Sequence, residues 1–146
     1  MRACPMSCTL LPPGKALDPA EVVRVCEHVH LDPLPRVVPT ARAFVAEQCR
    51  DITPEQRHVV ILLTSELVTN AVIHARTRMI VGITLTDHYV LVTVHDEDLG
   101  RTELPGPDRH GGRGLMLVQA LADASDVEHH PGDGKTSWFR LARAAA

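Results

Sequence analysis

Val59-Val-Ile-Leu-Leu-Thr-Ser-Glu-Leu-Val-Thr-Asn-Ala-Val-Ile-His-Ala75 is the stretch whose reading decides the fold. Glu66, Asn70 and His74 recur every four residues, so a helix of 3.6 residues per turn places them on one stripe. Leu62, Leu63, Leu67, Val68, Ala71, Val72 and Ile73 surround that stripe and are apolar enough to bury most of the remaining circumference. A carboxylate and an amide within such a surface cost free energy unless something satisfies them. A bound metal with a phosphate group is one solution. Hydrogen bonds along the helix or to its neighbours are the other, and spacing alone leaves both open.

Upstream, Thr53-Pro54-Glu55-Gln56 is a helix start: a hydroxyl N-cap, proline at the first helical position, and glutamine three residues after the cap. The helix is expected to end near Ala75, with Arg76 and Arg78 beside the negative pole of its dipole. Further upstream, Val37 to Arg50 carries Val37, Val38, Ala41, Phe44, Val45 and Ala46 at helical spacing, which predicts a first amphipathic helix. Pro39 is tolerable there only near its start. Asp32-Pro-Leu-Pro35 separates that helix from a β-branched run, Val22 to Leu31, read as a first or edge strand. Residues 1–20 hold Pro5, Pro12, Pro13, Gly14 and Pro19 with little periodicity and read as an irregular arm.

Downstream, Met79–Thr86 and Tyr89–His95 read as two strands of a hairpin turning at Asp87-His88. Asp96 ends the second. Glu97 to Gly112 is polar and rich in glycine and proline, a long loop of the kind that often serves as a lid. Gly114 to Ala122 is expected to be a short apolar helix. Ser125–His130 and Lys135–Ala142 are expected to be strands joined by Pro131-Gly-Asp-Gly134. The resulting order predicts an α+β two-layer sandwich, with a mixed, mostly antiparallel sheet and helices on one face. Residues 1–20 would be an arm and 21–146 a single domain.

Apolar residues make up 45% and charged residues 23% of the 146, with a net charge of −3. That is the composition of a globular protein with one substantial core, without the basic footprint of a nucleic-acid or membrane binder. No apolar run is expected to approach the roughly 18 residues of a membrane span, and the N-terminus lacks the apolar core of a secretory signal. A cytoplasmic protein is expected. The nine histidines are scattered; His28 and His30 share a strand face and His129 adjoins His130, without forming a ligand cluster. Cys4-Pro-Met-Ser-Cys8 reads as thiols on the arm rather than a zinc site.

Three polar clusters need a common explanation. Gly112-Arg113-Gly114-Leu115 opens a helix, and a glycine-rich helix start exposes free N–H groups and a positive dipole end to phosphate. The same pattern also serves as an ordinary turn. Arg113 would add charge to such a seat. Asn70 offers a hard amide oxygen of the kind that Mg²⁺ takes together with phosphate oxygens. Glu66, one turn earlier, is placed to accept a proton from an attacking hydroxyl. Asp96 would accept from an amino group or cap a turn.

In this order the clusters resemble the ATP-binding domain shared by gyrase, histidine kinases and MutL, the GHKL superfamily with the Bergerat fold. The branch they resemble is that of the anti-sigma-factor serine/threonine kinases. Glu66-Leu-Val-Thr-Asn70-Ala-Val-Ile-His74-Ala looks like the N box of that family. Val94-His-Asp96 resembles its first glycine box, Gly112-Arg-Gly114-Leu-Met-Leu-Val the second, and Gly134-Lys-Thr136-Ser-Trp-Phe the last. The resemblance spans about residues 35–142.

The resemblance implies ATP and Mg²⁺ as ligands. Asn70 would hold the metal and Glu66 would be the general base. Asp96 would bind the adenine amino group, with Thr136 in support. Gly112 and Gly114, followed by Leu115, would close over the phosphates, with His74 and Arg113 as neighbours. One position departs from the family: residue 98, in Asp96-Glu-Asp98, is Asp where the box carries Gly or Ser. The implied function is a regulatory kinase that phosphorylates an antagonist protein and binds a sigma factor, with a homodimer plausible and no direct DNA or membrane contact. The alternative is an interaction module that uses ATP only structurally or has lost it.

Overall fold

The computed structural model describes residues 18, 20–99 and 111–144, with 111–115 as backbone. Cys4, Cys8 and most of the predicted arm, as well as 100–110 of the predicted lid, lie outside the described residues. Five strands and three helices follow in the order β1 (Val23–Leu31), α1 (Val37–Gln48), α2 (Pro54–Asn70), β2 (Met79–Thr86), β3 (Tyr89–Asp96), α3 (Gly111–Leu121), β4 (Ala124–His129) and β5 (Lys135–Ala142). The strands form one sheet ordered β1-β2-β3-β5-β4. The sequence allows a mixed sheet, but all four pairings are antiparallel. Two hairpins account for much of this, because each tight turn reverses the chain beside itself.

The β2–β3 turn is closed by Thr86, whose hydroxyl accepts the N–H groups of His88 at 3.2 Å and Tyr89 at 2.9 Å. From outside, Arg24 on β1 grips the Asp87 carboxylate with two bonds of 2.8 and 2.9 Å. That pairing lowers the Asp87 pKa and raises that of Arg24.

Helix α2 begins as its sequence dictates: the Thr53 hydroxyl accepts the Gln56 N–H at 3.3 Å, with Pro54 at the first helical position. The Gln56 side chain, however, does not complete a capping box. It donates to the Ala142 carbonyl at 2.6 Å and accepts the Ala144 N–H at 3.0 Å, tying the end of the chain to the helix start. Val60, Leu63, Thr64, Leu67 and Val68 form the buried stripe of α2, and Val37, Ala41 and Val45 that of α1. Val90, Val92 and Val94 of β3 and Phe139 and Leu141 of β5 join these helices in one core. Residues between them face the other way, where Leu91 and Trp138 make a small separate cluster. Strand alternation thus assigns odd positions of β5 to the helix side and even positions to the opposite face.

By length and a mean hydropathy of 1.4, Pro54–Ala75 matches a membrane span. Within the fold 33% of its most apolar window is buried, and that buried stripe packs on α1 and the sheet. Cys49, just after α1, is fully buried, and desolvation pushes its thiol pKa up to about 11.

Candidate nucleotide site

Regular α-helix ends at Asn70. Ala71–Ala75 wind as a π turn, closed by the Arg76 N–H donating to the Ala71 carbonyl at 3.0 Å. The predicted helix runs on regularly to Ala75, so this turn is a difference. Arg76 stops it in the left-handed region at φ 56°, and its Nε donates to the Ile73 carbonyl at 3.3 Å. A π turn carries more residues per turn than an α-turn, so His74 lags behind the Glu66–Asn70 stripe.

The helix end is fastened beside the end of β3. The Glu97 N–H donates to the Thr77 hydroxyl at 2.9 Å, and Met79 pairs with Asp96 across the β2–β3 ladder. Glu66 and Asn70 are half-buried, and among the described residues neither side chain has a hydrogen-bond or ion-pair partner. Bonding along the helix therefore does not explain them. His74 Nε2 is buried and likewise unpartnered among the described residues. The half-buried, unpartnered Glu66 carboxylate and Asn70 amide fit a hydrated cation with phosphate oxygens, with the enclosed His74 Nε2 nearby along the chain. No group of three His, Cys, Asp or Glu among the described residues is arranged to hold a metal.

Asp96 is 2% exposed and fully engaged. Its Oδ1 accepts the Asp98 N–H at 2.9 Å and its Oδ2 accepts Lys135 Nζ at 2.8 Å. Lys135 Nζ also lies 3.4 Å from Asp98 Oδ2. Asp98 thus points inward, at this ammonium, rather than to solvent. The backbone of Asp96 is fixed by Gly134, which has φ 75° and lies so close that a Cβ there would fall 1.9 Å from the Asp96 carbonyl oxygen. Only glycine meets both requirements.

Thr136 does not join Asp96, and the expected support of one by the other is corrected by the strand register. Asp96 pairs with Lys135, and Thr136 pairs with His95. Neighbouring residues of a strand point to opposite faces, so Thr136 lies on the face away from the helices. There its hydroxyl meets His95 Nδ1 at 3.0 Å and His130 Nε2 at 2.9 Å. Sequence reasoning missed Lys135. The signal was present: Phe139 and Leu141 mark the odd positions of β5 as core-facing, and Lys135 shares their parity.

Gly112, Arg113, Gly114 and Leu115 form the first turns of α3, which begins at Gly111, three residues before the expected start. Free N–H groups and the positive dipole end come with that position. Helix α3 packs on α2. A separate cavity of about 160 Å³ between α2, α3, β4 and β5 is lined by Leu67, Val118, Gln119, Ser125, Asp126, Val127 and Trp138. It includes none of the polar stripe and is well below the roughly 300 Å³ of a ligand pocket.

A five-stranded antiparallel sheet, covered by helices on one face, with the Asn70-bearing helix leading to the end of the strand that carries Asp96, makes a two-layer α+β domain. The sequence profile of the histidine kinase-like ATPase domain matches residues 31–141, and the chain belongs to that family. It is 29% identical over 113 residues to the anti-sigma F factor of Bacillus subtilis (strain 168), covering 66% of this chain and 75% of the relative. The anti-sigma F factor of Bacillus velezensis is 28% identical over the same coverage. Among solved structures, the crystal structure of the RsbU and RsbW domains of a Mycobacterium tuberculosis protein superposes with a TM-score of 0.64 at 23% identity. That match covers 84% of this chain and 34% of the other, so the chain spans about a third of that protein's length and shares its fold.

Proposed function

We propose that this protein is an ATP- and Mg²⁺-binding regulatory kinase that phosphorylates a serine or threonine of an antagonist protein and, in its other role, binds a sigma factor. It would act in the cytoplasm, without touching DNA, and as a homodimer. One observation carries the reading: Glu66 and Asn70 are half-buried on a single helical stripe, without described partners, on the helix whose following residue Thr77 is bonded to Glu97, next to Asp96. Family membership supports ATP as the ligand, and the anti-sigma F relatives support the regulatory role.

In this reading each residue has one task. The Asp96 carboxylate accepts the exocyclic amino group of adenine. The first-turn N–H groups of α3 at Gly112 and Gly114, aided by Arg113 and with Leu115 behind them, receive phosphate oxygens. His74 Nε2 bonds an oxygen of the same group. The Asn70 amide oxygen would hold Mg²⁺, which would supply charge neutralisation for the phosphate oxygens. Glu66 takes the proton of the attacking hydroxyl. Thr136 has no part in it.

A second reading, a non-catalytic interaction module, is favoured by the ammonium already seated on Asp96. Calorimetric titration with ATP, with and without Mg²⁺, followed by transfer of labelled phosphate to an antagonist protein, separates the two. The kinase predicts Mg²⁺-dependent binding lost in Asn70→Ala and transfer abolished in Glu66→Gln. Bound nucleotide that never labels an antagonist, with regulation intact in Glu66→Gln, would establish the module instead.

A further inference from the structure

The ion triad Lys135–Asp96–Asp98 lies on the helix-facing side of the sheet, at the one carboxylate the proposed function assigns to the base. We propose that Lys135 is the specificity gate of this base site: it holds the Asp96 acceptor against weak ligands and passes to Asp98 when a purine amino group takes its place. The inference rests on the reading of Asp96 as the purine acceptor.

Competition for one oxygen is the first part of the argument. Asp96 Oδ1 is taken by the Asp98 N–H at 2.9 Å, and Oδ2 by Lys135 at 2.8 Å. An incoming amino group therefore competes with the Lys135 ammonium for Oδ2. The Asp96 backbone is closely backed by Gly134, where even a Cβ would fall 1.9 Å from the Asp96 carbonyl oxygen. The lysine can move, since its ammonium rides on a flexible four-carbon stem.

The second part is where the ammonium goes. The Lys135 side chain is 18% exposed and Asp96 2%, so little water is available to a released charge. Removing one partner of such a buried pair strands the other at high cost. Asp98, 11% exposed and already 3.4 Å from Nζ, is an anion within reach without large motion. A carboxylate at position 98 then does not simply repel phosphate. It receives the lysine that adenine displaces, and the triad keeps one net negative charge throughout.

Titration calorimetry with MgATP and with adenosine tests this on the full chain, comparing the parent with Lys135→Met, Lys135→Gln, Asp98→Asn and the Lys135→Met/Asp98→Asn pair. Adenosine carries no phosphate, so long-range attraction between ammonium and phosphate drops out. Lys135→Met should bind adenosine about tenfold tighter, the worth of one charge-assisted hydrogen bond no longer displaced. Lys135→Gln, which keeps a neutral donor and guards against misfolding of the Met variant, should fall between. Asp98→Asn should bind about tenfold more weakly, and that loss should vanish when Lys135 is also replaced. Adenosine binding unchanged or weakened in both Lys135 variants overturns the gate, as does loss of ATP affinity with adenosine unaffected, which would assign the ammonium to phosphate. If the parent binds ATP and Asn70→Ala does not, such a failure falls on the gate alone. If neither binds, the nucleotide reading falls and takes the gate with it.

Discussion

Strands β3 and β5 carry two polar clusters, one residue apart in sequence and on opposite faces of the sheet. On the helix side, Asp96 and Lys135 form a buried ion pair held beside the end of α2. On the other face, His95, His130 and Thr136 share one hydroxyl, and the His95 ring lies 5.7 Å from that of His130. The helix-side cluster adjoins open ligand groups at Asn70 and His74, whereas the other closes on itself. In the proposed function the chemistry follows the covered face, where helix ends bring further polar groups beside the sheet.

The strongest way to break this contrast is through the residues that build each face. Phe139, wholly buried among α2 and β3, should cost about 3–5 kcal/mol on replacement by Ala. Trp138, whose cluster on the other face is limited to Leu91 and Ala124, should cost less, about 3 kcal/mol. Urea unfolding of both variants checks the order, and a larger loss at Trp138 would move the main core to the wrong face.

Next come the two glycines of the β4–β5 turn, which share φ 75°. A Cβ at Gly132 meets nothing within 4 Å, so Gly132→Ala should lose only the roughly 1–2 kcal/mol of left-handed backbone strain. Gly134→Ala must also displace Asp96, and should lose both more stability and most nucleotide affinity. Equal losses would show that the contact with Asp96 is unimportant.

Thr136→Val should lower stability by about 1–3 kcal/mol, because His95 Nδ1 is left without its hydroxyl. ATP affinity should stay within roughly twofold of the parent. A marked loss of affinity would return Thr136 to the nucleotide side and undo the contrast.

The smallest effect is a pH dependence within the core. Cys49 has its pKa raised to about 11 from 9.0 by burial, so the folded state favours the neutral thiol. Its contribution to stability is complete below pH 9 and is lost as pH rises through 11. The urea midpoint of the parent should fall across that window more steeply than that of Cys49→Ala; parallel curves would mean the thiol is not buried as described.

Local pattern and cap chemistry determined much of this protein. The Thr53 cap, the helical spacing of Val37, Ala41 and Val45, and the alternation in Met79–Thr86 and Lys135–Ala142 are properties of neighbouring residues, so they are legible without the fold. The stripe of Glu66 and Asn70 was visible for the same reason. The π turn that displaces His74, the inward aim of Asp98 and the choice of Lys135 over Thr136 were decided by tertiary structure. Register between β3 and β5 joins residues about 40 apart in sequence, and a slip of one residue exchanges every side chain between faces. No local propensity fixes that parity; the packing of Phe139 and Leu141 against α2 does.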